Sequence, residues 1–226
     1  TRCTNTVNTI KTNMKIHFKN ANEAYEYYHD RILTHGIPFG DTKALFNIGF
    51  YLENPNDKLI INRERKWSLD YAEAEWQWYL SGDANVKKLG EIYGKIPAIW
   101  QKMADESGEV NSNYGWQWMR NAQLAHVVNK LRDYPDTRQA AISIYDAKEI
   151  AKYHNDTPCT YAVQFSIIAE KLCMSVYMRS NDLWYGFCND QYQFANLQEL
   201  VASMLGIETG WYYHHAHNLH LYNDKI

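Results

Sequence analysis

Two short runs of alternating apolar residues, Cys159 to Ala169 and Leu172 to Met178, are separated only by Glu170-Lys171, and this spacing constrains the fold more than any other feature of the chain. Side chains alternate faces along a strand. The first run therefore sets Cys159, Tyr161, Val163, Phe165 and Ile167 on one face, and the two-residue connection turns the second run back beside it. Further strands are expected over Trp211 to Tyr222, over Ala140 to Tyr145, and over Leu45 to Glu53 with its reversal at Asn54-Pro55-Asn56-Asp57.

Helical spacing follows Asn20 or Asn22 up to Gly36, carrying Ala24, Tyr27, Tyr28, Ile32 and Leu33. It recurs from Trp67 to Leu80, ending at Ser81-Gly82-Asp83; over 117–133, closed by Tyr134-Pro135-Asp136; and from Asp190 to Leu205, ending at Gly206. Helices and hairpin-linked strands in this order predict an α+β domain. An apolar content of 46% over 226 residues suits a single domain, 1–226, with residues 1–20 as a polar amino-terminal arm. The net charge of −3 argues against general affinity for nucleic acid polymers or acidic membranes, which requires clustered uncompensated cations. No apolar run approaches the roughly 20 residues of a membrane span. Cys3, Cys159, Cys173 and Cys188 have no CxxC spacing and fit a reducing cytoplasm.

Chemistry gathers around Asp156-Thr157-Pro158-Cys159-Thr160, where a cysteine opens an expected strand just after a proline. An isolated cysteine is more often a small buried hydrophobe, and a reactive one needs a cation to lower its pKa. The expected partner strand leads into Arg179-Ser180-Asn181-Asp182, followed by Gly186-Phe187-Cys188-Asn189-Asp190. With the upstream Pro-Cys, this Arg-Ser-x-Asp motif, its glycine and a polar residue eight places past the Asp, the chain resembles the thymidylate synthase superfamily, in which that last residue is Asn. Gly108-Glu109-Val110-Asn111-Ser112-Asn113-Tyr114-Gly115-Trp116, with Asn181-Asp182 and Asn189-Asp190, looks most like the deoxycytidylate hydroxymethylases of T-even bacteriophages. The likeness runs from about Trp67 to Tyr222.

The resemblance implies a mixed, mainly antiparallel sheet flanked by helices, with a sheet face forming a homodimer interface. It also implies 5,10-methylenetetrahydrofolate as one-carbon donor. Cys159 is the implied nucleophile at C6 of a pyrimidine. Arg179 contacts the nucleotide phosphate beside the thiol, with Ser180 and Asp182 in the same motif. Glu75, in Glu75-Trp76-Gln77-Trp78-Tyr79-Leu80-Ser81-Gly82, relays protons around the base, Tyr114 lines the site, and His220 and Tyr222 bind the sugar hydroxyl. Trp100, Asp182 and Gly186 are the implied folate contacts.

Asp190 bears on the choice of base. Cytosine offers a 4-amino donor and an N3 acceptor, which a carboxyl can complement; asparagine suits uracil. Helix capping is the structural alternative for Asp190. A departure lies at Pro135-Asp136-Thr137-Arg138-Gln139, where the family carries two adjacent arginines that reach the partner subunit's phosphate; only Arg138 remains here. Lys43, in Asp41-Thr42-Lys43, is displaced by one place from the family's phosphate-binding cation. On a strand His215 and His217 share one face and His214 and His220 the other, so a metal site lacks a third ligand; the resemblance implies none. The expected reaction converts deoxycytidylate, methylenetetrahydrofolate and water to the 5-hydroxymethyl nucleotide. C5 methylation, action on cytidylate, a deoxyuridylate-type enzyme and a non-catalytic nucleotide-binding homologue stand as alternatives.

Overall fold

A computed structural model describes residues 14–153 and 155–226. Most of the expected amino-terminal arm, including Cys3, lies outside the described residues. The elements run β1 (His17–Phe18), α1 (Ala21–His35), β2 (Ile37–Phe39), β3 (Thr42–Leu52), α2 (Leu69–Ser81), α3 (Val86–Tyr93), α4 (Ala98–Met103), α5 (Tyr114–Met119), α6 (Gln123–Asp133), β4 (Ala141–Ser143), β5 (Thr160–Ile168), β6 (Lys171–Met178), β7 (Asn181–Asp182), α7 (Cys188–Leu205) and β8 (Glu208–Tyr222). The class is α+β.

The sheet has the order β1-β3-β8-β6-β5-β4, with β2 on β3 and β7 on β8. The pairs β2-β3, β3-β8, β4-β5 and β5-β6 are antiparallel, whereas β1-β3, β6-β8 and β7-β8 are parallel. The parallel β6-β8 pair requires a crossover, and α7 supplies it. Placing β8 between β3 and β6 carries the two ends of the expected site onto neighbouring strands. Phe50, Val163, Val176 and His214 face the helices and are fully buried. Tyr51, Tyr177, Trp211 and Tyr213 point the other way and stay partly exposed. Tyr213 lies across Gly49, where a Cβ would stand 2.0 Å from the phenol oxygen.

Local chemistry explains the helix ends. Asn20 and Ser68 accept backbone N–H groups at the starts of α1 and α2, from Glu23 and Tyr71. Gly82 and Gly206 close α2 and α7 in the left-handed region. On α1 the buried positions are Tyr25, Tyr28 and Ile32; Tyr27 and Leu33 remain only partly covered.

Three sequence expectations change. The single helix over 117–133 is two helices, broken where Asn121 and Ala122 adopt φ of +54° and +56°. The hairpin turns at Ala169-Glu170, one residue earlier, with φ of +49° and +62°. These signs give the primed turn whose twist matches the strands, here without glycine. Finally, a bulge between Thr160 and Ala162 swings Tyr161 off the core face, so Cys159 and Tyr161 do not share the face of Val163 and Phe165. Helices α3 and α4 were not legible because they are short: eight and six residues span too few turns for a helical period to stand out.

Candidate active site

Cys159 sits just before β5, half-buried and unbridged. Its loop is fixed from three sides. Asp156 accepts hydrogen bonds from the Ser112 N–H at 2.6 Å and from the Ser112 hydroxyl. Tyr145 donates to the Pro158 carbonyl at 2.9 Å. Arg179 donates to the carbonyls of Thr157 at 2.7 Å and Pro158 at 3.1 Å. A strand link, Arg179 N–H to the Cys159 carbonyl at 2.8 Å, holds the arginine beside the thiol, and its Nη2 lies 3.7 Å from Sγ. The Thr160 N–H donates to the Tyr114 hydroxyl at 3.3 Å, which brings Tyr114 to the same place.

Burial pushes the Cys159 thiol up to about 11, against the opposing pull of Arg179; the Asp190, Asp156 and Asp182 charges push it the same way as burial. The nearby cation therefore does not suffice to make a standing thiolate in this chain. Arg179 does lower this pKa, the part the resemblance implies for it, while desolvation is the larger effect.

Glu75, on the inner face of α2, is 4% exposed. It accepts hydrogen bonds from Tyr71 at 2.7 Å and Gln193 at 3.0 Å, and Trp100 donates to the Tyr71 hydroxyl at 2.7 Å. Desolvation raises its pKa from 4.5 to about 7, with these donors pulling the other way. Such a carboxyl can both take and give a proton at neutral pH. Trp100 is bound into this network and packed edge-on against Trp78 at 5.1 Å, with 8% of its surface exposed.

Asp190 lies in the first turn of α7, yet it does not cap that helix: Asn181 donates to its Oδ2 at 2.7 Å. The cap of the short Leu183–Phe187 turn is Asp182, which accepts from the N–H groups of Trp184 and Tyr185 at 3.0 and 2.9 Å. Burial, reinforced by the Glu75 charge, holds the Asp190 carboxyl well above the usual range. Gly186 is where the backbone must pass this pair. A Cβ there would stand 3.0 Å from the Asn181 amide nitrogen and 3.2 Å from the Asp190 carboxyl.

His220 and Tyr222 reach the same region from β8, their rings 5.3 Å apart. Burial lowers the pKa of His220 while Asp182 raises it, and the Cys159 and Asp182 charges act on Tyr222. Ser180 is half-buried in the turn between β6 and β7. Eight of the expected residues thus converge: Cys159, Glu75, Tyr114, Arg179, Asp182, Asp190, His220 and Tyr222. Two stand apart. Arg138 is exposed on the loop before β4, and Lys43 donates to the Leu33 carbonyl at 2.7 Å, so its ammonium is occupied at the end of α1. Among the described residues no group of three or more His, Cys, Asp and Glu is placed to hold a metal ion. No helix among them is long and apolar enough to cross a membrane. A cavity of about 450 Å³ lined by Asp83, Asp105, Glu109 and Asp156 is acidic and does not include the thiol.

Sequence reasoning missed Asn181, His214, Tyr212 and Gln193 as parts of the site. All four are polar side chains almost wholly removed from water. The period of Tyr212 and His214 on β8 marks an inward face, Asn181 is on the two-residue β7 and Gln193 on α7, and only tertiary pairing says what they touch.

A thiol, an arginine beside it and two carboxyls that favour their protons are the kind of groups that covalent catalysis on a small substrate draws on. The thymidylate synthase family model matches residues 24–226. A thymidylate synthase of Corynebacterium aurimucosum is 31% identical over 214 residues, covering 89% of this chain and 78% of that protein. One from Fusobacterium nucleatum subsp. nucleatum is 29% identical over 194 residues, covering 81% and 69%. The chain belongs to the thymidylate synthase family. Its members transfer a one-carbon unit from 5,10-methylenetetrahydrofolate to C5 of a pyrimidine nucleotide.

Proposed function

We propose that this chain is a deoxycytidylate hydroxymethylase, acting on C5 of the cytosine nucleotide through a covalent bond from Cys159 to C6. The observation that carries the choice of base is Asp190: a carboxyl that desolvation inclines to keep its proton, held on one oxygen by Asn181, beside Cys159 and Tyr114. A protonated carboxyl presents one acceptor and one donor, matching the 4-amino group and N3 of cytosine. An asparagine would suit uracil, and a reversed pair strands buried donors or acceptors at a cost of about 1–3 kcal/mol.

The remaining residues take roles their surroundings permit. Arg179 binds the nucleotide phosphate and so brings the pyrimidine ring to the thiol. Because the resting thiol is protonated, attack on C6 requires its proton to leave as the Cys159–C6 bond forms, and C5 then carries the electron density. Glu75, poised near neutrality, moves protons to and from the base and the water around it. His220 and Tyr222 hold the sugar. Ser180 completes the phosphate turn. The folate supplies the one-carbon unit as an electrophilic methylene when bound. Asp182, a half-buried acceptor whose Cβ lies 3.7 Å from where a side chain on Gly186 would begin, has the chemistry to receive the N–H edge of its pterin, and Trp100 stands at the Glu75 side. C5 then gives up its hydrogen as a proton, tetrahydrofolate leaves, water adds its oxygen to the transferred carbon, and the Cys159–C6 bond breaks to restore the ring and the thiol.

Asp190→Asn is the test of base choice. It lowers kcat/KM for deoxycytidylate by about tenfold to a hundredfold, the equivalent of one or two hydrogen bonds, and raises that for deoxyuridylate. An unchanged ratio between the two nucleotides would remove Asp190 from base selection.

The reading also includes a homodimer through the outer sheet face. Tyr51, Trp211 and Tyr213 form a ring cluster there, with centroids 4.8–5.2 Å apart, and Tyr177 and Tyr161 extend it. In the dimer Arg138 contributes to the partner's phosphate site, and Lys43 joins only by releasing Leu33. Tyr213→Glu places a charge in the middle of this face and converts the dimer to monomer in light scattering; a monomeric parent protein contradicts the assembly.

A further inference from the structure

Behind Asp190 runs a line of buried polar groups that the reaction itself does not use. The Tyr212 hydroxyl and His214 Nδ1 are 2.8 Å apart, His214 Nε2 and Asn181 Oδ1 are 3.0 Å apart, and Asn181 Nδ2 reaches Asp190 Oδ2 at 2.7 Å. Tyr212 and His214 are 0% exposed and Asn181 is 1% exposed. The His214 ring is clamped between Phe50 and Phe187, with centroids at 5.3 and 5.2 Å. It stands in the middle of the sheet, opposite Phe50 on β3 and Val176 on β6.

The direction of this line follows from counting donors. Burial drives the pKa of His214 down to about 3, so its ring is neutral and carries a single N–H. Burial also holds Tyr212 as a phenol, and its hydroxyl proton has no acceptor but His214 among the described residues. The phenol therefore donates to Nδ1, and the imidazole proton sits on Nε2. That proton is donated to Asn181 Oδ1. The amide is thereby oriented with its NH2 toward Asp190, whose Oδ2 must accept.

A free carboxylic acid is ambivalent, since its proton can reside on either oxygen and its donor–acceptor pattern reverses accordingly. In one arrangement it complements cytosine and in the other uracil. We infer that Tyr212 and His214 are positioning residues for base selection: through Asn181 they fix Asp190 Oδ2 as acceptor and Oδ1 as the proton-bearing oxygen, so that with Oδ2 toward the 4-amino group and Oδ1 toward N3 the carboxyl reads cytosine and rejects uracil. This rests on the cytosine reading above. Gly186 leaves the room that this pair needs, since a Cβ there would crowd both the Asn181 amide and the Asp190 carboxyl.

Tyr212→Phe removes one hydroxyl and no ring, and His214→Phe removes the line while keeping an aromatic ring in the clamp. Phe50→Leu serves as the packing control, since it loosens the clamp without touching a hydrogen bond. Steady-state kinetics with deoxycytidylate and deoxyuridylate should show the cytosine preference falling roughly tenfold in Tyr212→Phe and further in His214→Phe, with deoxyuridylate turnover held or increased. Phe50→Leu should lower Tm and leave the preference within about twofold of the parent. A preference unchanged in folded Tyr212→Phe and His214→Phe, or reduced as much by Phe50→Leu, overturns the positioning role while leaving the cytosine reading intact. Nitrogen NMR of the nucleotide-free protein supplies a readout independent of activity. It should show His214 neutral with the proton on Nε2, and a proton on Nδ1 overturns the proposal. If the parent protein itself prefers deoxyuridylate, the cytosine reading fails, and the NMR result still judges the direction of the line.

Discussion

Cys159→Ser abolishes tritium release from C5 of labelled deoxycytidylate, lowering turnover on the order of 10⁴-fold or more. The replacement changes little else. Cys159 precedes β5, is half-buried, and its sulfur contacts the Arg179 guanidinium at 3.7 Å without contributing to the strand ladder. A hydroxyl at this position is too weak an acid to give up its proton as it attacks C6. Turnover within tenfold of the parent would remove the covalent step from the account. The raised thiol pKa adds a second signature. In the nucleotide-free protein the rate of Cys159 alkylation should climb about tenfold per pH unit toward about 11, because only the thiolate reacts. A plateau near pH 8 would show that Arg179 outweighs burial after all.

Glu75→Gln lowers kcat by about 10²–10⁴-fold, the usual contribution of a positioned acid–base group, and erases the limb of the pH profile near 7. It also stabilises the protein at alkaline pH. The sign follows from the pKa raised in the folded state: the native chain binds this proton more tightly than the unfolded one. The stabilisation from protonation is complete below pH 4.5 and is lost as pH rises through about 7. Glutamine stays neutral and keeps it, so thermal melts at pH 8 should place the variant above the parent and melts near pH 4.5 should not separate them. A lower melting temperature at pH 8, or an unchanged kcat, would mean that Glu75 is an ordinary structural carboxylate.

Much of this architecture is written locally. Asn20 and Ser68 cap their helices and Gly82 and Gly206 end theirs, as turn and cap chemistry dictate without reference to the rest of the fold. The Cys159–Met178 hairpin is likewise legible from its alternation. What alternation does not encode is the bulge between Thr160 and Ala162, because one extra residue resets which side chains face the core and leaves no compositional mark. The Ala169-Glu170 turn escaped for a related reason. Its positive φ angles are imposed by strand twist rather than announced by glycine or asparagine.

The site shows the same division. Cys159, Arg179, Asp182 and Asp190 were legible as a spaced motif, and the structure gathers them in one place. The tuning was not. The thiol pushed up by burial, the carboxyl of Glu75 lifted by desolvation within the Tyr71, Gln193 and Trp100 network, and the Tyr212 and His214 line behind Asn181 arise between elements far apart in sequence. The histidine run at 214–220 shows this most clearly. Parity on β8 correctly separates His215 and His217 from His214 and His220, yet only packing turns His214 into a neutral link in a buried chain.

The most direct test of the account is a mass-resolved assay of purified protein with methylenetetrahydrofolate and, in parallel, deoxycytidylate, cytidylate and deoxyuridylate. The account predicts a product heavier by CH2O from deoxycytidylate alone. A gain of CH2 would place the chemistry in hydride transfer rather than water addition, and turnover of deoxyuridylate in preference to deoxycytidylate would contradict Asp190 as the reader of the base.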